Sequence, residues 1–165
     1  MTRAVLVALL AVAAAIALSC AGKAPEPTPY QRHDARKNEI SQLWMQIRQW
    51  RAEANIPGVE PSYGLIQSVR LTPMSRLRDE LAQMCEQPAE PAPECNDTCG
   101  LAENICENAE RICKIAGELG NDPWANEKCA SAKASCKEAK ETCCECESKR
   151  GDGGSGSDGG DSSTP

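Results

Sequence analysis

Cysteines at a fixed seven-residue interval constrain this chain more than any other feature. Cys99, Cys106 and Cys113 are seven apart, and so are Cys129, Cys136 and Cys143. Seven residues make two turns of α-helix, so each trio lies along one helical face. Between the trios, Gly117, Gly120 and Asn121-Asp122-Pro123 interrupt the pattern and call for a tight turn. Residues that face each other across an antiparallel hairpin have numbers with a nearly constant sum. Cys113 with Cys129, Cys106 with Cys136 and Cys99 with Cys143 all give 242. The alanine pairs Ala116/Ala125, Ala109/Ala132 and Ala102/Ala139 all give 241, as does Cys95 with Cys146, a fourth bridge in an alanine-type layer.

The alanines explain how such bridges are reached. A disulfide needs Cα atoms about 5.5 to 6 Å apart, whereas helix axes normally sit about 8 to 10 Å apart. Only small side chains between the cysteines allow that approach. Ten cysteines can pair in roughly 900 ways, so one register that satisfies three pairs together is informative. Cys85 and Cys144 remain and would tie a preceding helix to the open end of the hairpin. An exchange of Cys144 and Cys146 between Cys95 and Cys85 stays open at this level.

Covalent bracing is needed because the apolar complement is small. After Cys20 the chain has only sixteen Leu, Ile, Val or Phe residues among 145, too few to fold on burial alone. The second hairpin helix, from Ala125 to Glu147, has no Leu, Ile, Val, Met or aromatic residue. It reads as a helix with an acidic outer face that docks through its bridges. The first carries a stripe of Leu101, Ile105, Ile112 and Leu119 beside the Cys/Ala seam. That stripe is either covered by the upstream helices or left open to a partner.

Upstream, Ile40, Leu43, Trp44, Ile47 and Trp50 recur at helical spacing within 34–55, up to Pro57-Gly58. Thr72-Pro73 reads as an N-cap followed by proline at the first helical position, opening a helix through Leu77, Leu81 and Met84 to Cys85. Residues 56–71 are ambiguous between helix and loop. The prolines from Gly22 to Pro29 predict an extended tether, and 87–94 a Pro-rich linker. The Gly/Ser/Asp tail, 148–165, cannot form a core and reads as disordered; its Arg150-Gly151-Asp152 tripeptide is a chance product of that composition. The layout is therefore 1–19 leader, 20–33 tether, 34–86 helical segment, 87–94 linker, 95–147 cysteine-rich hairpin and 148–165 tail. The fold class is all-α: a disulfide-stapled antiparallel hairpin with one or two further helices.

Arg3 precedes an apolar run from Ala4 to Ala17, too short to span a membrane, which takes ~20 residues. The run ends in Ala17-Leu18-Ser19-Cys20-Ala21, which resembles the lipobox of bacterial lipoproteins, although Ala17 stands where leucine is commonest. The resemblance implies cleavage before Cys20, acylation of Cys20 (palmitate among the chains used) and, with Ala21 following, anchorage in the outer membrane. Ala17-x-Ser19 also suits ordinary signal cleavage, which would export the chain without lipid. The module from Cys95 to Cys146 is similar to small cysteine-rich lipoproteins of myxobacteria and their relatives, a resemblance that implies a cell-envelope location and carries no activity with it.

Charge argues against nucleic acid as a partner. The net charge is −6, and residues 95–147 carry six basic against eleven acidic side chains, so no basic surface exists to displace phosphate counterions. The single histidine, His33, lies in the tether beside Asp34, and no nucleophile-base arrangement or phosphate loop is present. Cys143-x-x-Cys146 lacks the strand-helix setting of a redox motif. Trp44, Trp50 and Trp124 read as packing residues, Trp124 over the hairpin turn. Catalytic residues, cofactor and small-molecule substrate are therefore all absent from the expectation. What remains is a non-enzymatic envelope lipoprotein, membrane-bound through its lipid, that acts as a structural or protein-interaction module. The alternative is a periplasmic metal carrier holding Cu(I) or zinc on Cys95, Cys99, Cys143 and Cys146, which gather at the open end.

Overall fold

The computed structural model describes residues 26–84, 93, 95–120 and 122–151. Its described elements are five helices: α1 (Pro29–Glu53), α2 (Tyr63–Val69), α3 (Met74–Ala82), α4 (Asn96–Glu118) and α5 (Pro123–Gly151). The all-α prediction is met, with three helices before the hairpin among the described residues instead of one or two.

Helix α1 starts inside the segment read as tether. The Thr28 amide donates to Gln31 Oε1 (2.8 Å) and the Gln31 amide donates to Thr28 Oγ1 (3.3 Å). This is a reciprocal capping box, with Pro29 at the first helical position where its missing N–H costs nothing. The helix is thus five residues longer at its start than the 34–55 pattern. It closes where Asn55 takes a left-handed φ of 55° and the Ile56 amide bonds back to Arg51 O (2.9 Å).

The ambiguous 56–71 stretch contains α2. Ser62 Oγ accepts from the Leu65 amide (3.3 Å), an N-cap that buries Val69 at the far end of the helix. Thr72 does not cap α3. Pro73 occupies the cap position without a side-chain hydrogen bond, and α3 ends at Ala82 instead of reaching Cys85. Lys133 accounts for the shifted cap, because its Nζ donates to the carbonyls of Arg70 (2.8 Å) and Thr72 (2.7 Å) and ties the α2–α3 junction to α5.

The hairpin of α4 and α5 has the predicted register. Four disulfides join Cys95–Cys146, Cys99–Cys143, Cys106–Cys136 and Cys113–Cys129. Cα separations in the last three are 4.8, 4.6 and 4.6 Å, and 5.9 Å in the first. Ala102, Ala109, Ala116, Ala125, Ala132 and Ala139, which make up the intervening layers, are all buried. At the turn Gly120 adopts φ 65°, a conformation favouring glycine, and Asp122 Oδ1 accepts from the Ala125 amide (2.9 Å) to cap α5. Helix α5 runs on to Gly151, so the first residues assigned to the tail are helical. Replacing Ala109 by Leu is expected to cost more than the usual 1 to 3 kcal/mol of overpacking, because the flanking bridges prevent the helices from separating. A thermal scan checks the loss, and thiol counting on unreduced protein should find Cys106 or Cys113 partly unpaired.

Helix α1 lies along the hairpin, antiparallel to α4 and parallel to α5. Arg36 pairs with Glu118 (2.8 Å) and Asn108 Nδ2 donates to Gln46 Oε1 (2.9 Å), while Lys37 reaches Asp122 (2.7 Å) and Arg51 reaches Ser135. Its Ile40, Leu43, Trp44 and Ile47 join Ile105, Ile112 and Ile115 in one core. The α4 stripe is therefore covered: Ile105 and Ile112 are fully buried, and Leu101 and Leu119 are half-buried beside them.

Helix α5 corrects the sequence reading most. With α4 and α1 on two sides and α2 and α3 packed on another, it is the central rod of the bundle. Residues 130–136, Ala-Ser-Ala-Lys-Ala-Ser-Cys, are buried without interruption around the whole helix. Its lack of large apolar residues reflects close approach on several faces, and not a solvated outer surface.

Candidate functional site

The bridges and the polar groups enclosed around α5 are the chemically distinctive part of the molecule. Cys144 is also disulfide-bonded, and its partner lies outside the described residues. The pairing of Cys144 with Cys85 therefore falls outside them, as do acylation of Cys20 and most of the 87–94 linker. The open alternative for Cys95 is resolved: it bonds Cys146.

The four cysteines considered for metal form two disulfides, Cys95–Cys146 and Cys99–Cys143, which leaves none of them as a thiolate ligand. Among the described residues no group of three or more Cys, His, Asp and Glu side chains is placed to hold a metal ion. His33 is helical, with Nε2 3.6 Å from Asp122 Oδ2, but Lys37 takes the same carboxylate oxygen at 2.7 Å. The Lys37 ammonium, aided by the Ala125 amide, holds the Asp122 carboxyl below its ordinary range. Asp122 thus caps α5 and fastens it to α1 at once.

Three cations, Arg51, Lys133 and Lys140, are buried in ways the sequence reading missed. Arg51 is fully enclosed, donating to Ser135 Oγ (3.3 Å), to Glu138 (2.5 Å) and to the carbonyls of Pro57 (3.2 Å) and Gly58 (3.4 Å). It fixes the loop after α1 against α5. A signal for it existed, since Arg51 continues the Ile40, Trp44, Ile47 stripe at i+11, where a charge must find a partner inside. Lys133 is buried as well, and burial lowers its pKa from the usual lysine value while two backbone carbonyls accept its protons. Nearer the open end, Lys140 pairs with Glu103 and Arg78 with Glu110 (2.5 Å), closing α3 and α5 onto α4.

Trp44 is buried with Lys128 Nζ 5.1 Å from its ring, and Trp124 is half-buried near the turn with Lys37 Nζ 5.4 Å from its ring. Both are packing residues that also meet a cation. Two surface hollows flank the 58–61 loop. One, of about 480 Å³, is lined by Met45, Arg48, Gln49, Ala52, Gly58 and Val59. The other, of about 470 Å³, includes Tyr63, Ile66, Arg70 and Glu127. The ladder marks an oxidising compartment outside the cytosol, where such bonds persist, and among the described residues no helix is long and apolar enough to cross a membrane. Compared with known families, curated proteins and solved structures, the chain matches none of them.

Proposed function

We propose that this chain is a non-enzymatic, lipid-anchored module of the outer membrane that braces or binds another envelope component. The observation that carries the reading is the stapled bundle, in which four bridges fasten α4 to α5 and the enclosed Arg51 fastens the end of α1 to α5. A rigid surface loses little entropy on docking, which suits a binding or spacing role better than a moving active site. The lipobox-like Ala17-Leu18-Ser19-Cys20 supports the anchor. Eight residues separate Cys20 from the first residue of α1, a span of at most ~30 Å, so the bundle would stand close to the bilayer.

With the α4 stripe buried in the core, the partner surface must be sought elsewhere. Exposed Met45 and Val59 beside the 58–61 loop and exposed Glu145 near the end of α5 are what the bundle offers a protein partner.

Replacing Cys20 by Ser is expected to move the protein from the membrane to the soluble fraction, read by fractionation and by mass analysis of the mature N-terminus. A variant that stays membrane-bound would remove the lipid anchor from the proposal. Stoichiometric copper or zinc on protein purified without reductant or added metal would overturn the structural role.

A further inference from the structure

The four described bridges are not chemically equivalent. Thiol–disulfide exchange needs two things: access for an attacking thiolate to one sulfur, and an environment at the other that tolerates the departing thiolate. Cys99 and Cys143 are both buried, and so are Cys106 and Cys136. Cys146 is half-buried, but its partner Cys95 is fully enclosed, so attack there would expel a thiolate into a dry site that disfavours it. Cys113 and Cys129 are both half-buried. Of the four, only this pair meets both conditions, whichever sulfur is attacked.

Position in the ladder adds a second argument. Cys113–Cys129 closes the shortest loop, with a sequence separation of 16, and lies nearest the turn. When it opens, Cys106–Cys136 still clamps the next rung. The turn beyond it is still held by Lys37–Asp122 and Arg36–Glu118 and by buried Ala116 and Ala125. Opening this bond therefore frees a local loop and leaves the bundle standing.

We propose that Cys113–Cys129 is a thiol–disulfide exchange site built into an otherwise inert ladder, and that its reaction partner is a dithiol. The dithiol's thiolate attacks one sulfur of the pair, forming a mixed disulfide and releasing the other cysteine as a thiolate, which takes up a proton. The second thiol then attacks the mixed disulfide, leaving Cys113 and Cys129 as thiols and the dithiol as a disulfide. Two electrons pass from the dithiol to the bundle, and oxidised dithiol reverses the reaction. The site does not depend on lipid anchoring.

The test uses the full native chain titrated with dithiothreitol, sampled over time, alkylated with N-ethylmaleimide and mapped by mass spectrometry. Cys113 and Cys129 are expected to be labelled together, at least tenfold faster than the other six cysteines of the ladder and than Cys144, with helicity by circular dichroism unchanged during that phase. First labelling at any other cysteine, or simultaneous labelling of all with loss of helix, would overturn the proposal. In a Cys113→Ser, Cys129→Ser double variant the fast phase should vanish. Its persistence would equally defeat the assignment.

Discussion

Full reduction of the bridges is expected to melt the hairpin and most of the bundle with it. Closing the 16-residue turn loop and then three nested loops between successive rungs removes, on a chain-entropy reckoning, on the order of 10 kcal/mol of unfolded-state freedom. The whole stability of a domain this size is about 5 to 15 kcal/mol. Helix α5 has little to set against that loss. Between residues 125 and 147 it buries alanine, serine and cysteine, each with a small apolar area, while Arg51 and Lys133 return little net stability for their desolvation. Far-UV circular dichroism on protein held in excess strong reductant should show loss of helix from α4 and α5 at ambient temperature. Full helicity in the reduced, metal-free protein would show that close packing around α5 supplies more than its side chains suggest. Partial reduction at Cys113–Cys129 alone is expected to leave the helices intact, so the two experiments separate a local opening from collapse of the ladder.

The register of the hairpin was legible because a disulfide sets a hard distance and a seven-residue period puts every constraint on one face. The α1 stripe was legible for a similar reason: Ile40, Leu43, Trp44 and Ile47 recur at helical spacing, and all are buried. The failures have physical causes as well. Helix α2 has seven residues, too few for a periodic signal, and only Ser62 marks its start. Thr72 looked like a cap, but the Lys133 ammonium takes its carbonyl from across the bundle, a contact sixty-one residues away in the chain. The prolines up to Pro29 put 29–33 in the tether, yet Pro29 sits where a helix accepts proline and Gln31 completes the box. The central place of α5 was hidden for a subtler reason. Small residues were read as a seam on one face, while Ala130, Ser131, Ala134 and Ser135 make the other faces small too. A polar-looking composition thus concealed a helix enclosed on several sides.

Replacing both Ile105 and Ile112 by Ser is expected to cost about 6 to 8 kcal/mol and to detach α1 from the hairpin. Both side chains are fully buried between α4 and the Ile40, Trp44, Ile47 face of α1. Each substitution removes a branched aliphatic group, leaves a cavity and encloses a hydroxyl, together worth about 3 to 4 kcal/mol. The two sites are two helical turns apart, about 10 Å along α4, so their effects should nearly add. The bridges between α4 and α5 do not include α1, whose attachment rests on this apolar contact, the enclosed Arg51 and the ion pairs Arg36–Glu118 and Lys37–Asp122. Under oxidising conditions the hairpin should therefore persist while α1 loosens. Trp44, buried in the native fold, reports that event as a red shift in emission at lower denaturant concentration than in the parent protein. If the variant instead kept its stability and emission but lost a protein partner, the stripe would be an exposed docking surface in solution, and the packing of α1 over it would be wrong.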